Sequence, residues 1–133
     1  MLKKLLATLA VIMAFAVPFQ AASAGQSSDV VQAGTFEGRS DHIVKGGVSI
    51  LKTASGYIAV LEKDFDLDGA PAPTLGFGKG EKFDASTEFT KLHNDKGLQV
   101  YAIPANVNPA DYDSFFVWCA DFSVPLGVAK LSK

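Results

Sequence analysis

The residue with the most chemistry to offer is Cys119, the sole cysteine of the 133-residue chain. One thiol forms no internal disulfide, so the fold has to stand on packing. The thiol itself is buried and inert, paired with another chain, or a working redox group. It lies in the most hydrophobic run of the sequence, Phe115-Phe116-Val117-Trp118-Cys119-Ala120-Asp121-Phe122, which reads as a strand over Ser114 to Phe122. Side chains alternate across a strand. Phe115, Val117, Cys119 and Asp121 therefore share one face, and Phe116, Trp118, Ala120 and Phe122 the other. Free cysteine is among the most buried residue types, so the plainest reading is a small core side chain. A reactive thiol needs a cation close by. None occurs within five residues, and Asp121 on the same face has the wrong charge to support a thiolate. An activating group has to come from another strand or loop. The aromatic face is core packing or, if exposed, a platform for a sugar ring, a flat cofactor or a partner. A two-layer fold buries one face of every strand, which favours packing.

Two metal sets can be assembled from the remaining residues. Asp64-Phe65-Asp66-Leu67-Asp68-Gly69 matches the first half of a calcium loop, with Asp64, Asp66 and Asp68 as alternating carboxylates before a glycine turn. The position that should close such a site is Leu75, so a solvated acidic loop is the plainer reading. Cys119 with His42 and His93 is the inventory of a blue-copper centre. However, no histidine follows the cysteine, and Met1 and Met13 both lie in the N-terminal apolar segment. No cofactor is firmly predicted; calcium and a Cys/His-bound metal are the two candidates. There is no Gly-x-Ser-x-Gly elbow, and Gly76-Phe77-Gly78-Lys79-Gly80 lacks the spacing and helix of a phosphate loop. Whether the chain is an enzyme stays open.

These residues need a scaffold, and the sequence outlines one. Lys3 and Lys4, the apolar run Leu5 to Val17, the break at Pro18 and the small residues Ala22-Ser23-Ala24 read as a signal peptide over 1–24. The run is shorter than the roughly 20 residues a membrane span needs. Cleavage leaves one domain from Gly25, exported to periplasm or medium. Loss of Lys3 and Lys4 makes the net charge, −2 for the whole chain, more negative still. With no basic cluster, nucleic acid and anionic membrane are discarded as partners. Residues 25–33 read as a flexible lead-in. Beyond them Gly46 to Thr53 and Tyr57 to Lys63 form a hairpin around Ala54-Ser55-Gly56, the second strand apolar on both faces. Asp64 to Pro73 is a loop. Thr74 to Phe77, Thr87 to Leu92, Gln99 to Ile103, Ser114 to Phe122 and Val128 to Leu131 are further short strands. No sustained helical period appears. The fold expected is all-β, an antiparallel β-sandwich of about seven or eight short strands.

The ordered motifs resemble a known family. Gly34-Thr35-Phe36 with His42-Ile43-Val44-Lys45-Gly46 is similar to the opening of the DM-thirteen domain family. Lys91-Leu92 and Lys96-Gly97-Leu98-Gln99-Val100-Tyr101-Ala102-Ile103-Pro104 resemble its centre. Val117-Trp118-Cys119, Phe122-Ser123-Val124 and Gly127-Val128-Ala129-Lys130-Leu131 resemble its close. The likeness covers residues 34–131. It departs from the family at Gly69-Ala70-Pro71-Ala72-Pro73 and at Leu126. The resemblance implies a β-sandwich domain of exported or surface proteins that acts in electron transfer or thiol redox chemistry through its cysteine, here Cys119. Trp118 would shield the thiol, and His42 is the candidate partner whose imidazolium would support a thiolate. A lone thiol must work through a sulfenic acid, a bound metal or a mixed disulfide with a partner protein; a disulfide-linked dimer is the homotypic version. The competing reading is a non-enzymatic extracytoplasmic domain, binding a small ligand or purely structural, with an inert buried cysteine.

Overall fold

The computed structural model describes residues 28–133, together with the isolated Ala14; the segment read as a signal peptide and residues 25–27 otherwise lie outside the described part. The first element, β1 (Asp29–Gly38), is the longest strand. It corrects the lead-in reading of 25–33, since Asp29 to Ala33 are already paired in the sheet. The polar Gln32 made this stretch look like loop. In the fold it is buried, and its amide Nε2 donates to the carbonyls of Pro109 (3.2 Å) and Tyr112 (3.0 Å).

After β1 come β2 (Val44–Lys45), β3 (Gly47–Thr53), β4 (Gly56–Leu61), β5 (Asp66–Leu67), β6 (Pro73–Lys79) and β7 (Lys82–Phe83). A 3-10 turn η1 (Ala85–Thr87) leads to β8 (Thr90–Lys91) and β9 (Gln99–Ile103). A second 3-10 turn η2 (Pro109–Asp111) precedes β10 (Ser114–Cys119) and β11 (Val124–Lys130). Seven of these strands have five or more residues, as the sequence predicts; the other four are two-residue strands. Every pairing is antiparallel.

Nine strands form one curled sheet in the order β7-β6-β10-β11-β1-β3-β4-β9, with β8 also on β6, while β2 and β5 make a small separate ribbon. The strand shared by the two halves is β1. Its first part pairs with β3 through Asp29 to Thr35, and its end pairs with β11 through Phe36 to Gly38. One half is therefore β1-β3-β4-β9 and the other β1-β11-β10-β6. Their facing side chains merge into one core, from Ile50, Ala59 and Tyr101 on one side to Phe77, Phe115 and Leu126 on the other. Phe115 is its hub, edge-on to Phe77 at 5.1 Å and to Phe36 at 6.2 Å. This is the all-β antiparallel sandwich read from the sequence, its two layers being halves of one sheet.

Several predicted boundaries move: the closing strand expected over Val128 to Leu131 already opens at Val124, and the one expected over Thr74 to Phe77 runs from Pro73 to Lys79. The strand expected over Ser114 to Phe122 stops at Cys119, and Ala120 to Ser123 form a turn with Ser123 at φ +50°. The strand expected over Thr87 to Leu92 is only Thr90–Lys91, because Thr87 closes η1 and bonds Phe77. The Asp64 to Pro73 loop contains β5, where Phe65 and Leu67 are buried and the intervening aspartates point outward.

Candidate functional site

Cys119 is the last residue of β10, opposite Pro73 on one side and Val124 on the other. It faces the core with Phe115 and Val117 and is 1% exposed. Its Sγ donates to the carbonyl of Pro71 at 3.2 Å, and the next peptide, Ala120 N–H, donates to the carbonyl of Ala72 at 3.1 Å. The segment running from Gly69 to Pro73 thus lies over the thiol. Pro71 and Ala72 are exposed on its outer side, and Ala72 holds φ +47°, a region a β-carbon makes costly. Beside this cover lies an open cleft of about 400 Å³, lined by Ala72, Thr74, Glu88, Lys91, Ala120 and Asp121 among others.

The turn at Ala120 changes the setting inferred for the thiol. Asp121 leaves the strand and stands exposed on that turn, so it is not a same-face neighbour of Cys119. Phe122 likewise leaves the aromatic face and is 69% exposed at the turn. Trp118 points to the opposite side of the sheet from Cys119. There its indole stacks on Phe83 at 4.2 Å and 15°, and Phe83 meets Phe116 edge-on at 5.4 Å. Trp118 therefore does not cover the thiol; Pro71 and its neighbours do. The cluster on the far side sits on a glycine floor. A β-carbon on Gly76 would lie 2.7 Å from the Phe83 ring, and one on Gly78 would lie 2.6 Å from the Phe116 ring. That is the structural use of a glycine pattern that was too short for a phosphate loop.

His42 lies in the tight turn after β1. Its Nδ1 is 3.0 Å from Oδ1 of Asp68, whose Oδ2 accepts the Ile43 N–H at 2.9 Å. These bonds, the Ile43 amide foremost, hold the Asp68 carboxyl below the usual carboxylate range. No hydrogen bond joins His42 to Cys119 among the described residues. His42 instead fastens Asp68, immediately ahead of the segment that covers the thiol.

The three aspartates of the calcium half-match are engaged separately. Asp64 accepts the Gly47 N–H at 3.0 Å, Asp66 is 3.4 Å from the Lys96 ammonium, and Asp68 holds His42. The alternation that resembled a calcium loop is the ordinary alternation of an extended strand whose apolar residues, Phe65 and Leu67, face the core. The Cys119, His42 and His93 set is not assembled either. His93 lies against the Tyr101 ring at 5.0 Å, and its N–H donates to the Tyr101 hydroxyl at 3.0 Å. No group of three or more candidate metal ligands converges among the described residues.

Sequence reasoning missed Pro71 and Phe83. The Pro71-Ala72-Pro73 run signalled a loop and nothing about where that loop docks. Phe83 was a lone aromatic between charged residues, with no period to give it a partner. Among the described residues no helix is long and apolar enough to cross a membrane.

Comparison with curated proteins and with solved structures gives no match. A family model described as "Electron transfer DM13" matches residues 35–131, from the β1 phenylalanine region through Cys119 to the end of β11, and on that extent of the chain the protein belongs to the DM13 family.

Proposed function

We propose that this protein is an exported electron-transfer module in which Cys119 is the redox residue and the Gly69–Pro73 segment its cover. The observation that carries the reading is the position of the thiol. It sits at a strand end rather than mid-strand, beneath a segment with an exposed outer surface, and its hydrogen-bond partner is a carbonyl of that same segment. In this reading Pro71, exposed on its outer side, is the group that moves to admit a partner to the sulfur. The family's electron-transfer description and the leader-like N-terminus supply the rest.

A single thiol passes electrons by exchange. The Cys119 sulfur attacks one sulfur of a partner protein's disulfide. A Cys119–partner S–S bond forms, the partner's own S–S bond breaks, and its second sulfur leaves with the thiol proton. One thiol of a second, dithiol partner then attacks the Cys119 sulfur, so that the first partner leaves with both its sulfurs as thiols. The second partner's other thiol attacks its own bridged sulfur, closes that partner's disulfide and releases Cys119 as the thiol, and the electron pair has moved from the second partner to the first. The cleft beside the cover, with Glu88, Lys91 and Asp121 on its wall, is where the partner would approach.

One observation favours a second reading. At 1% exposure Cys119 has the accessibility of an inert core residue, as expected for a binding or structural domain. Reaction of the native protein with a small disulfide, followed by intact mass, separates the two. An electron-transfer thiol forms one mixed disulfide per chain at a rate well above global unfolding. Labelling that proceeds only at the unfolding rate leaves the second reading standing.

A further inference from the structure

We infer that the stretch 69–71 is a flap latched by the thiol it covers, so that the chemical state of Cys119 sets whether the flap is closed. The stretch is fixed at both ends. Upstream, Asp68 is tied to the turn after β1. Its N–H donates to the Ile43 carbonyl at 3.1 Å, its Oδ2 accepts the Ile43 N–H at 2.9 Å, and its Oδ1 lies 3.0 Å from Nδ1 of His42. Downstream, the Ala72 carbonyl accepts the Ala120 N–H at 3.1 Å. Pro73 then enters β6 opposite Cys119, and its carbonyl accepts the Leu92 N–H at 2.8 Å. Between these anchors there is little. Pro71 has no N–H to give. Among the described residues, Gly69, Ala70 and Pro71 share one hydrogen bond to the rest of the molecule, from the Cys119 thiol to the Pro71 carbonyl.

The joints at its two ends are free to turn. Gly69 stands at φ +101°, with no neighbour within 4 Å of where a β-carbon would lie. Ala72 stands at φ +47°, where its β-carbon is costly, so rotation out of that region relieves strain. Pro71 and Ala72 are exposed, and Ala70 is the residue of the flap that packs against the core. A segment with so few backbone bonds and so little buried apolar surface opens locally, at a free energy below that of unfolding.

One weak donor then decides the balance. While Cys119 carries its hydrogen, the flap is closed. In a mixed disulfide that hydrogen is replaced by a second sulfur. The latch is lost, a larger group stands against the Pro71 carbonyl, and the flap stays open. As a regulatory device this rests on the redox reading of Cys119, to which it adds an order of events. The flap shields the reduced thiol and stands aside while the sulfur is bridged, leaving it open to the dithiol that resolves it. Release of Cys119 as the thiol restores the donor and closes the flap.

The test is limited proteolysis of the native protein with proteinase K under reductant, with the cut sites read by mass. The rate of cutting within 69–72 follows the open population when opening is fast relative to cleavage. Cys119→Val fills the site without a donor and should be cut there about two- to fivefold faster than wild type. Cys119→Ala serves should that variant fail to fold. Cys119→Ser keeps a donor and should be cut at the wild-type rate. Methyl methanethiosulfonate, without reductant, converts the wild-type thiol to its S-methyl disulfide, with methanesulfinate and the thiol proton leaving. That form should be cut like Cys119→Val and return to the wild-type rate once reduced. Equal cutting of wild type, Cys119→Ser and the variants without a donor overturns the latch. A native thiol that the reagent does not reach defeats the redox reading instead, and the substitutions still decide the latch.

Discussion

The two halves of the sheet treat their outer faces differently. Behind the thiol-bearing strand β10, the far face is closed by Phe83 lying on Trp118 and Phe116, over glycines that leave room for the rings. Behind β4 no aromatic ring plays that part among the described residues; Ile58 and Val60 continue into the exposed Val100 and Ala102, beside Ser49 and the Glu62 carboxylate it bonds. The half that carries Cys119 is therefore packed on both sides, and the other half on one. A strand covered on both faces holds its end residue in a fixed place, which a thiol under a small cover needs.

Perturbations of packing should divide along this line. The largest effect is expected from Phe115→Ala, which removes the ring shared by Phe36, Phe77 and Phe89 and should cost about 3–5 kcal/mol in urea unfolding. Phe83→Ala strips the second cover. It should cost roughly 1–3 kcal/mol from lost burial and ring stacking, and it should red-shift the fluorescence of Trp118, the sole tryptophan. An unchanged Trp118 spectrum would remove the contrast between the halves.

Acid should act unevenly as well. Glu81 lies in the fork of the Arg39 guanidinium at 2.7 and 2.9 Å; Asp84 caps η1 through Ser86; Asp113 accepts the Gly80 N–H at 2.7 Å. These bonds hold all three carboxyls below their usual range. A carboxylate lowered in this way stabilises the fold above the ordinary carboxylate range, and that contribution is lost as pH falls through its folded-state value. All three sit on loops of the thiol-bearing half, so their surroundings should loosen first. Below about pH 4, the Gly80 and Ser86 amides should lose hydrogen-exchange protection before the β3–β4 hairpin does. Uniform loss would contradict this. The smallest effect belongs to Val100→Lys. With no second cover to disturb, it should change monomer stability by less than about 0.5 kcal/mol.

Much of this contrast was legible in the sequence, in fragments. The alternation of Gln99 to Ile103 gave β9 and its faces. The apolarity of β4 on both faces, Ile58 and Val60 against Tyr57, Ala59 and Leu61, suits a strand with a neighbour on each side, which β4 has; what covers its outer face depends on other segments and is carried by no local pattern. The glycines Gly76 and Gly78 announced a special segment without saying which rings would lie over them. At the site, strand alternation placed Cys119 on the core side correctly as far as the strand ran. The turn at Ala120 to Ser123 carried Asp121 and Phe122 away from their predicted faces because nothing in Ala-Asp-Phe-Ser forces a break; the Ala72 carbonyl bound to the Ala120 N–H fixes it from a distance. The same holds for Pro71 over the thiol and for His42 on Asp68: both are contacts between segments far apart in sequence, set by topology.

The account stands most directly on how Cys119 is reached. The decisive measurement is the rate at which the native protein forms a mixed disulfide with a small disulfide reagent, compared with its global unfolding rate under the same conditions. The account predicts single-site modification well ahead of unfolding, through displacement of Pro71. Modification that keeps pace with unfolding would contradict it and leave Cys119 a core side chain.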